Sequence, residues 1–174
     1  MADIKSIAEY TIMRLNQNGQ SICPLKLQKV LYYMQAWHLV YFPNIGDLFN
    51  DIEPEAWVNG PVYRCIYNAY KKVGIYDNLS VQVLDINPND FNQHNIQIVK
   101  EKRNSLKLEE KQNDFLEAIL NRYGSMSHDR LVYLTHSERP WNVAREGLSP
   151  IEYSNNKISL EVMKFYYKSL SENK

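Results

Sequence analysis

Cysteine, glycine and an excess of either charge are what this 174-residue chain has least of. Its two cysteines, Cys23 and Cys65, lie far apart with no CxxC, which excludes a disulfide framework and makes a reduced, cytoplasmic setting the expectation. The six glycines occur singly, so no glycine-rich loop is available to cradle a phosphate. Lys plus Arg and Asp plus Glu number 20 each, for a formal net charge of +0 and a pI near 6.9. A dedicated nucleic-acid binder carries a domain pI above roughly 9, so direct nucleic-acid binding is not expected. Long apolar runs are also missing. The most apolar stretch, 30–42, contains Gln35 and His38 and falls short of the roughly 20 residues that span a bilayer. The residues from Met1 to Ile7 lack the unbroken apolar segment of a signal peptide, so neither a leader nor a membrane partner is expected.

What remains is an ordinary globular composition, 44% hydrophobic and 23% charged, in a chain of about one domain's length. Tyrosine dominates the aromatics, 13 against 5 Phe and 3 Trp; its apolar ring and polar tip suit a wet-edged core or a partner surface. Helical spacing of Ile4, Ile7, Ala8, Thr11, Ile12 and Leu15 predicts a first helix over 3–17 with Asp3 as its N-cap and Gly19 at its stop. Pro24 opens a second helix that is apolar nearly all round, the mark of a central helix, and Pro43 ends it. Asp47 to Phe49 and Glu55 to Val58 read as two strands of a hairpin, and Pro61 as the first residue of the next helix, with Gly74 its stop. Residues 75–105 read as two edge strands around Pro88 or as a long loop. Four helical segments follow: one through Phe115 to Tyr123, one capped by Ser127, a brief turn opened by Pro140, and one capped by Ser159 and running over 159–171. The expected fold is mainly α, a single compact helical domain over 1–174 with about six helices and a small β-hairpin.

Few residues combine at the spacing chemistry requires. No pair among His38, His94, His128, His136, Cys23 and Cys65 has metal-ligand spacing, so neither a metal nor a cofactor is expected. Thr135-His136-Ser137-Glu138 places a hydroxyl, an imidazole and a carboxylate side by side, but neighbours in sequence point in different directions and a catalytic triad is assembled in space. No catalytic residue is assigned; a nucleotide-handling enzyme using His136 is the alternative of another class. The basic cluster Lys100, Lys102, Arg103 and Lys107 is interrupted by Glu101 and followed by Glu109 and Glu110, the pattern of a solvated loop. An acidic stretch is clearer: Asp47, Asp51, Glu53 and Glu55 occur with no Lys or Arg between Lys29 and Arg64. It is either solubilising surface or a patch that meets a basic groove on a partner.

Three motifs in order resemble one family. Leu25-Lys26-Leu27-Gln28-Lys29-Val30-Leu31-Tyr32-Tyr33 resembles the lysine-tyrosine helix of the Panacea domain, also called the SocA-like antitoxin domain or DUF4065. Ala56-Trp57-Val58-Asn59-Gly60-Pro61-Val62 resembles its Ala-Trp-x-x-Gly-Pro-Val signature. Tyr123-Gly124 followed by Thr135-His136-Ser137-Glu138-Arg139-Pro140-Trp141 resembles its Thr-His-x-x-x-Pro-Trp element. The resemblance covers roughly residues 5–146. It departs over 75–105, and the absence of room for a helix-turn-helix before Asp3 speaks against operator binding.

The resemblance implies an antitoxin of a type II toxin-antitoxin system. Such a protein neutralises a toxin encoded nearby by direct binding, including alarmone-synthetase-like pyrophosphokinases that act on nucleotides or tRNA. One branch instead delivers its toxin to a AAA+ protease, and higher-order complexes are a further expectation. On this reading the partner-binding candidates are Lys29, Tyr33, Asp47, Asp51, Glu53, Glu55, Trp57, Asn59, Pro61, Tyr63 and Arg64. Leu27, Tyr32, Gly60, Val62, His136, Pro140 and Trp141 complete the motifs in structural roles. Lys29, on an apolar helix, is expected to snorkel to the surface. Trp57, Pro61 and Trp141 read either as core packing and a helix start, or as the frame of a binding face with free amides at the Pro61 helix. The four carboxylates from Asp47 to Glu55 are expected to face a basic site on the toxin and mimic phosphate charge.

Overall fold

A computed structural model describes residues 3–172. It is mainly helical, as the periodicity predicts. Helix α1 spans Ile4–Gln17 and starts where Asp3 accepts the Ser6 amide at 3.0 Å. Gly19, in a left-handed conformation at φ +68°, turns the chain away. Helix α2 spans Pro24–Tyr41, and every residue from Leu25 to Leu39 is buried. The other helices gather round it, with α8 (Leu160–Glu172), α5 (Glu110–Tyr123) and α6 (His128–Ser137) packing directly on it. A helix buried on all sides has nowhere to send polar side chains, so each one on α2 must find a partner inside. Gln28 holds both the amide and the carbonyl of Tyr63, at 2.8 and 3.2 Å. Gln35 accepts the Leu48 amide at 2.8 Å and donates to Asp47 at 3.2 Å. The His38 ring lies 3.1 Å from the Gly46 carbonyl and 2.9 Å from the Gln112 amide nitrogen. Burial drives the His38 pKa down to about 4, as expected for an imidazole kept neutral.

The tyrosines are core residues more than surface ones. Tyr10, Tyr32, Tyr33, Tyr63 and Tyr167 are among the largest fully buried side chains. Tyr33 stacks on Tyr123 with ring centroids 4.0 Å apart, and Tyr32 and Tyr167 meet it edge-on.

Three sequence expectations are corrected. The hairpin pairs β1 (Glu55–Trp57) with β2 (Gly60–Val62), in the register Glu55 with Val62, Ala56 with Pro61 and Trp57 with Gly60. Asp47 to Phe49 is therefore not a strand; the Asp47 carboxylate closes a bend by accepting the amides of Phe49 and Asp51, both at 2.9 Å. Pro61 lies in β2, not at a helix start, and α3 (Arg64–Tyr70) begins three residues later. The Ala56 amide points away from β2 to Asn156 at 2.8 Å, so Pro61 faces a position where the ladder needs no donor. The free amides expected at a Pro61 helix accordingly do not exist. Residues 75–105 contain no strand: a 3-10 turn at Val81–Leu84 leads into α4 (Pro88–Ser105), which makes eight α-helices in all among the described residues. Pro88 opens α4 under an Asn87 cap that accepts the Asn89 amide at 2.8 Å. Beyond α6 comes the short α7 (Arg139–Ala144), with Pro140 in its first turn.

No helix among the described residues is long and apolar enough to cross a membrane.

Candidate functional site

The hairpin is the most elaborately anchored element of the fold. From beneath, Lys29 of α2 donates to the Pro61 carbonyl at 3.0 Å. From behind, the Trp141 indole donates to the Trp57 carbonyl at 2.9 Å. His136 stacks on Trp141, with ring centroids 4.1 Å apart and planes 19° from parallel. Arg145, buried, donates to the carbonyls of Ala56 (2.9 Å), Ser149 (3.0 Å) and Glu152 (2.7 Å). It thereby ties the hairpin to the chain that follows α7. Beside β1 that chain returns as a third short segment, where Lys157 bridges to Glu55 and the Ile158 amide donates to the Pro54 carbonyl.

Lys29 does not snorkel. It is fully buried, and burial drives its pKa down to about 7. The α2 surface that a long side chain would have to reach is covered by the hairpin, so the amine ends at a carbonyl instead of water.

The four carboxylates of the acidic stretch do not share one outward face. Asp47 is buried in its own bend. Glu55 is buried as well, and receives Arg64 at 2.6 and 3.0 Å, Lys157 at 3.0 Å and the Trp57 indole at 2.8 Å. Burial pushes the Glu55 carboxyl up, but those hydrogen bonds outweigh it and hold its pKa down to about 2. Only Asp51 is exposed and Glu53 half-buried. A stretch without a base in sequence has two bases in space, and the expectation of a four-carboxylate phosphate mimic is withdrawn.

Of the remaining candidates, Pro61 and Tyr63 are buried and held by α2 side chains, while Tyr33 is buried away from the hairpin, against Tyr123 and Glu138. Trp57 is half-buried, while Asn59 and Arg64 reach solvent. Arg64 lies over the Trp57 ring, 5.4 Å from its centroid, and Tyr67 meets the same ring edge-on at 4.9 Å. Because Trp57 is only half-buried, the roughly 3–5 kcal/mol lost on emptying a fully buried Trp site is an upper bound there.

Together the hairpin, α3 and the start of α2 enclose an apolar cleft of about 340 Å³. Leu25, Leu27 and Gln28 form part of its lining from α2, Trp57, Val58, Asn59 and Val62 from the hairpin, and Ile66, Tyr67 and Tyr70 from α3; Lys71 and Tyr153 also line it. Tyr67 is 43% exposed and Tyr153 66%. A concave apolar surface with a few polar groups at its edge is the usual form of a recognition site. Sequence reasoning missed Tyr67 and Tyr153, and missed Arg145 and Lys157 as anchors. Tyr67 carries a signal in hindsight, one turn beyond Arg64 on α3. Tyr153, Arg145 and Lys157 come from outside the motifs and carry none.

A second buried node lies where α6 meets α7. The Glu138 carboxylate accepts from Tyr33 at 3.1 Å and from Tyr167 of α8 at 2.5 Å. Burial, only partly offset by those hydroxyls, raises its pKa to about 7. Of the neighbouring hydroxyls, Thr135 donates to the Val132 carbonyl and Ser137 to the Leu134 carbonyl, one turn back on their own helix. No group of three His, Cys, Asp or Glu side chains stands together as a metal site among the described residues.

Residues 27–142 match the family described as antitoxin SocA-like, Panacea domain. Comparisons with curated proteins and with solved structures give no match.

Proposed function

The chain belongs to the Panacea-domain family of SocA-like antitoxins, and from that premise we propose that it neutralises a cognate protein toxin by direct, non-catalytic contact through the cleft beside its hairpin. The observation that carries this reading is the cleft itself: an apolar hollow rimmed by Trp57, Tyr67 and Tyr153 on a hairpin held from two sides. Aromatic anchors on a pre-ordered frame bind with little loss of conformational entropy, and such residues dominate protein interfaces. On this reading Trp57, Asn59 and Arg64 contact the toxin, and Tyr67 and Tyr153 join them. Lys29, Asp47, Glu55, Pro61 and Tyr63 act as positioning residues that fix the hairpin and the turn before it. Occlusion of the toxin's active or substrate-binding surface is the means of neutralisation, without a four-carboxylate phosphate mimic, because two of those carboxylates, Asp47 and Glu55, are already paired inside the fold.

The test is co-expression with the toxin encoded beside this chain. Growth arrested by the toxin should resume when the chain is supplied, with toxin levels unchanged and the two proteins co-purifying. Arrest that persists beside abundant folded chain would contradict the reading. Recovery accompanied by disappearance of the toxin would replace occlusion with delivery to a protease.

A further inference from the structure

A second open surface shares no lining residue with the hairpin cleft. Between the C-terminal half of α2 and the length of α5 runs a groove of about 640 Å³. Trp37 and Tyr41 line it from α2, Phe42 from the cap that follows, and Phe115, Ala118 and Ile119 from α5. The α5 lining continues outward to Lys111 and Arg122, so its residues recur three and four apart along one face, over roughly 16 Å of helix. Tyr41 is 61% exposed although its ring lies near both Trp37 and Phe115, with centroids 5.9 and 6.0 Å away.

The rim carries more positive than negative charge, with Lys111 and Arg122 against Asp114. Asp114, its one acidic lining residue, is engaged by Arg103 at 3.2 Å, which also holds Glu110 at 2.7 Å. Among the described residues neither Lys111 nor Arg122 has an acidic partner, and Arg122 lies 5.5 Å from the centre of the Tyr123 ring. We propose that this groove docks an acidic amphipathic helix, about three turns long, of a protein partner. The walls are two helices, and a third helix fills such a trough by setting its apolar ridge into it. Acidic residues flanking that ridge meet Lys111 and Arg122, the two rim cations without an acidic partner, and fix its register. A second copy of the chain fits less well, because a two-fold contact through this face brings two sets of Lys111 and Arg122 together. The groove stands apart from the hairpin cleft, so the two surfaces can be occupied at once, and the proposal does not depend on which protein fills the cleft.

Two labelled synthetic peptides of fourteen residues test it, both with Leu and Phe at helical spacing, one carrying Glu at the flanking positions and the other Lys. In fluorescence anisotropy at low salt the acidic peptide should bind the full chain at least tenfold tighter than the basic one. High salt should shrink that margin. Ala118→Glu, at an exposed position on the groove floor, should weaken the acidic peptide at least tenfold. The double variant Lys111→Glu, Arg122→Glu, also at exposed positions, should reverse the preference, and Asn121→Ala, exposed on α5 but outside the groove lining, should leave peptide binding unchanged. Equal binding of both peptides, or acidic binding untouched by both groove variants, overturns the proposal. Dimerisation in sedimentation that Ala118→Glu abolishes would also overturn it, in favour of a second copy as the occupant.

Discussion

Gly60→Ala is expected to lower the stability of the fold by about 3 kcal/mol, through overpacking together with a disfavoured backbone conformation. At this chain length that corresponds to a fall in Tm of roughly 6–12 °C. Gly60 sits at φ +95°, where side chains with a Cβ are strained. An added Cβ would also lie 2.7 Å from Lys29 Cε and 2.8 Å from Thr135 Oγ1. The lysine end is ordinarily flexible, but here it is buried and held by the Pro61 carbonyl, so moving it aside breaks the bond that anchors β2. Gly19 supplies the control. It too has positive φ, at +68°, yet a Cβ there meets nothing within 4 Å, so Gly19→Ala should cost only the backbone strain, about 1 kcal/mol. A Gly60→Ala protein that melts with Gly19→Ala would show that the contact beneath the hairpin is not tight.

The second large effect is on pH dependence. Lys29 has its pKa lowered by burial from 10.5 to about 7, so between those values the unfolded chain holds one more proton than the folded one. Stability therefore rises with pH across that window, by up to roughly 1 kcal/mol per pH unit. The contribution is fully present above 10.5 and is lost as pH falls through about 7. Lys29→Met should remove the rise. The clearest range is pH 7.5–9.5, because other shifted groups act mainly outside it. His38, lowered to about 4, changes stability below its unfolded value of 6.5. Glu138, raised to about 7, contributes stability that is present below 4.5 and is lost as pH rises through 7. The buried tyrosines have their pKa values raised above 10.0, so their effect begins as the unfolded chain nears that value. Lys26, also lowered by burial, leaves a residual upward slope in the variant. Denaturant titrations of both proteins at closely spaced pH values measure the difference; parallel curves would place the Lys29 amine in water.

Much of the helical frame was legible because local signals and burial agree there. Asp3, Pro24, Ser127 and Pro140 each stand where a helix begins, and the unbroken apolar face of α2 foretold its central position. Pro61 misled because a proline suits a strand position without a ladder donor as well as it suits a helix's first turn, and only the paired strand decides. Helix α4 escaped notice because among its eighteen residues only Phe91 and Val99 are buried, too few to give a periodic stripe. The acidic stretch misled for a spatial reason. Lys157, which joins Arg64 in neutralising Glu55, is 102 residues away in sequence, and Asp47 is consumed by amides two and four residues ahead. At the candidate site the motifs located the hairpin and its Trp57, but not the outer ring. Tyr67 lies on the helix beyond the signature, and Tyr153 on a loop that Arg145 ties to the hairpin through its carbonyls.

The central claim, that the hairpin cleft is the surface the toxin binds, is tested most directly by the dissociation constant of the purified complex with Tyr67 and Tyr153 both changed to alanine. Both rings are substantially exposed, so the melting temperature should stay within about 2 °C of the parent, as for surface substitutions generally. Loss of two aromatic anchors from an interface costs on the order of 3 kcal/mol or more, which is at least a hundredfold in Kd. A hundredfold loss with an intact melt is the expected result; a double variant that binds the toxin like the parent would contradict it.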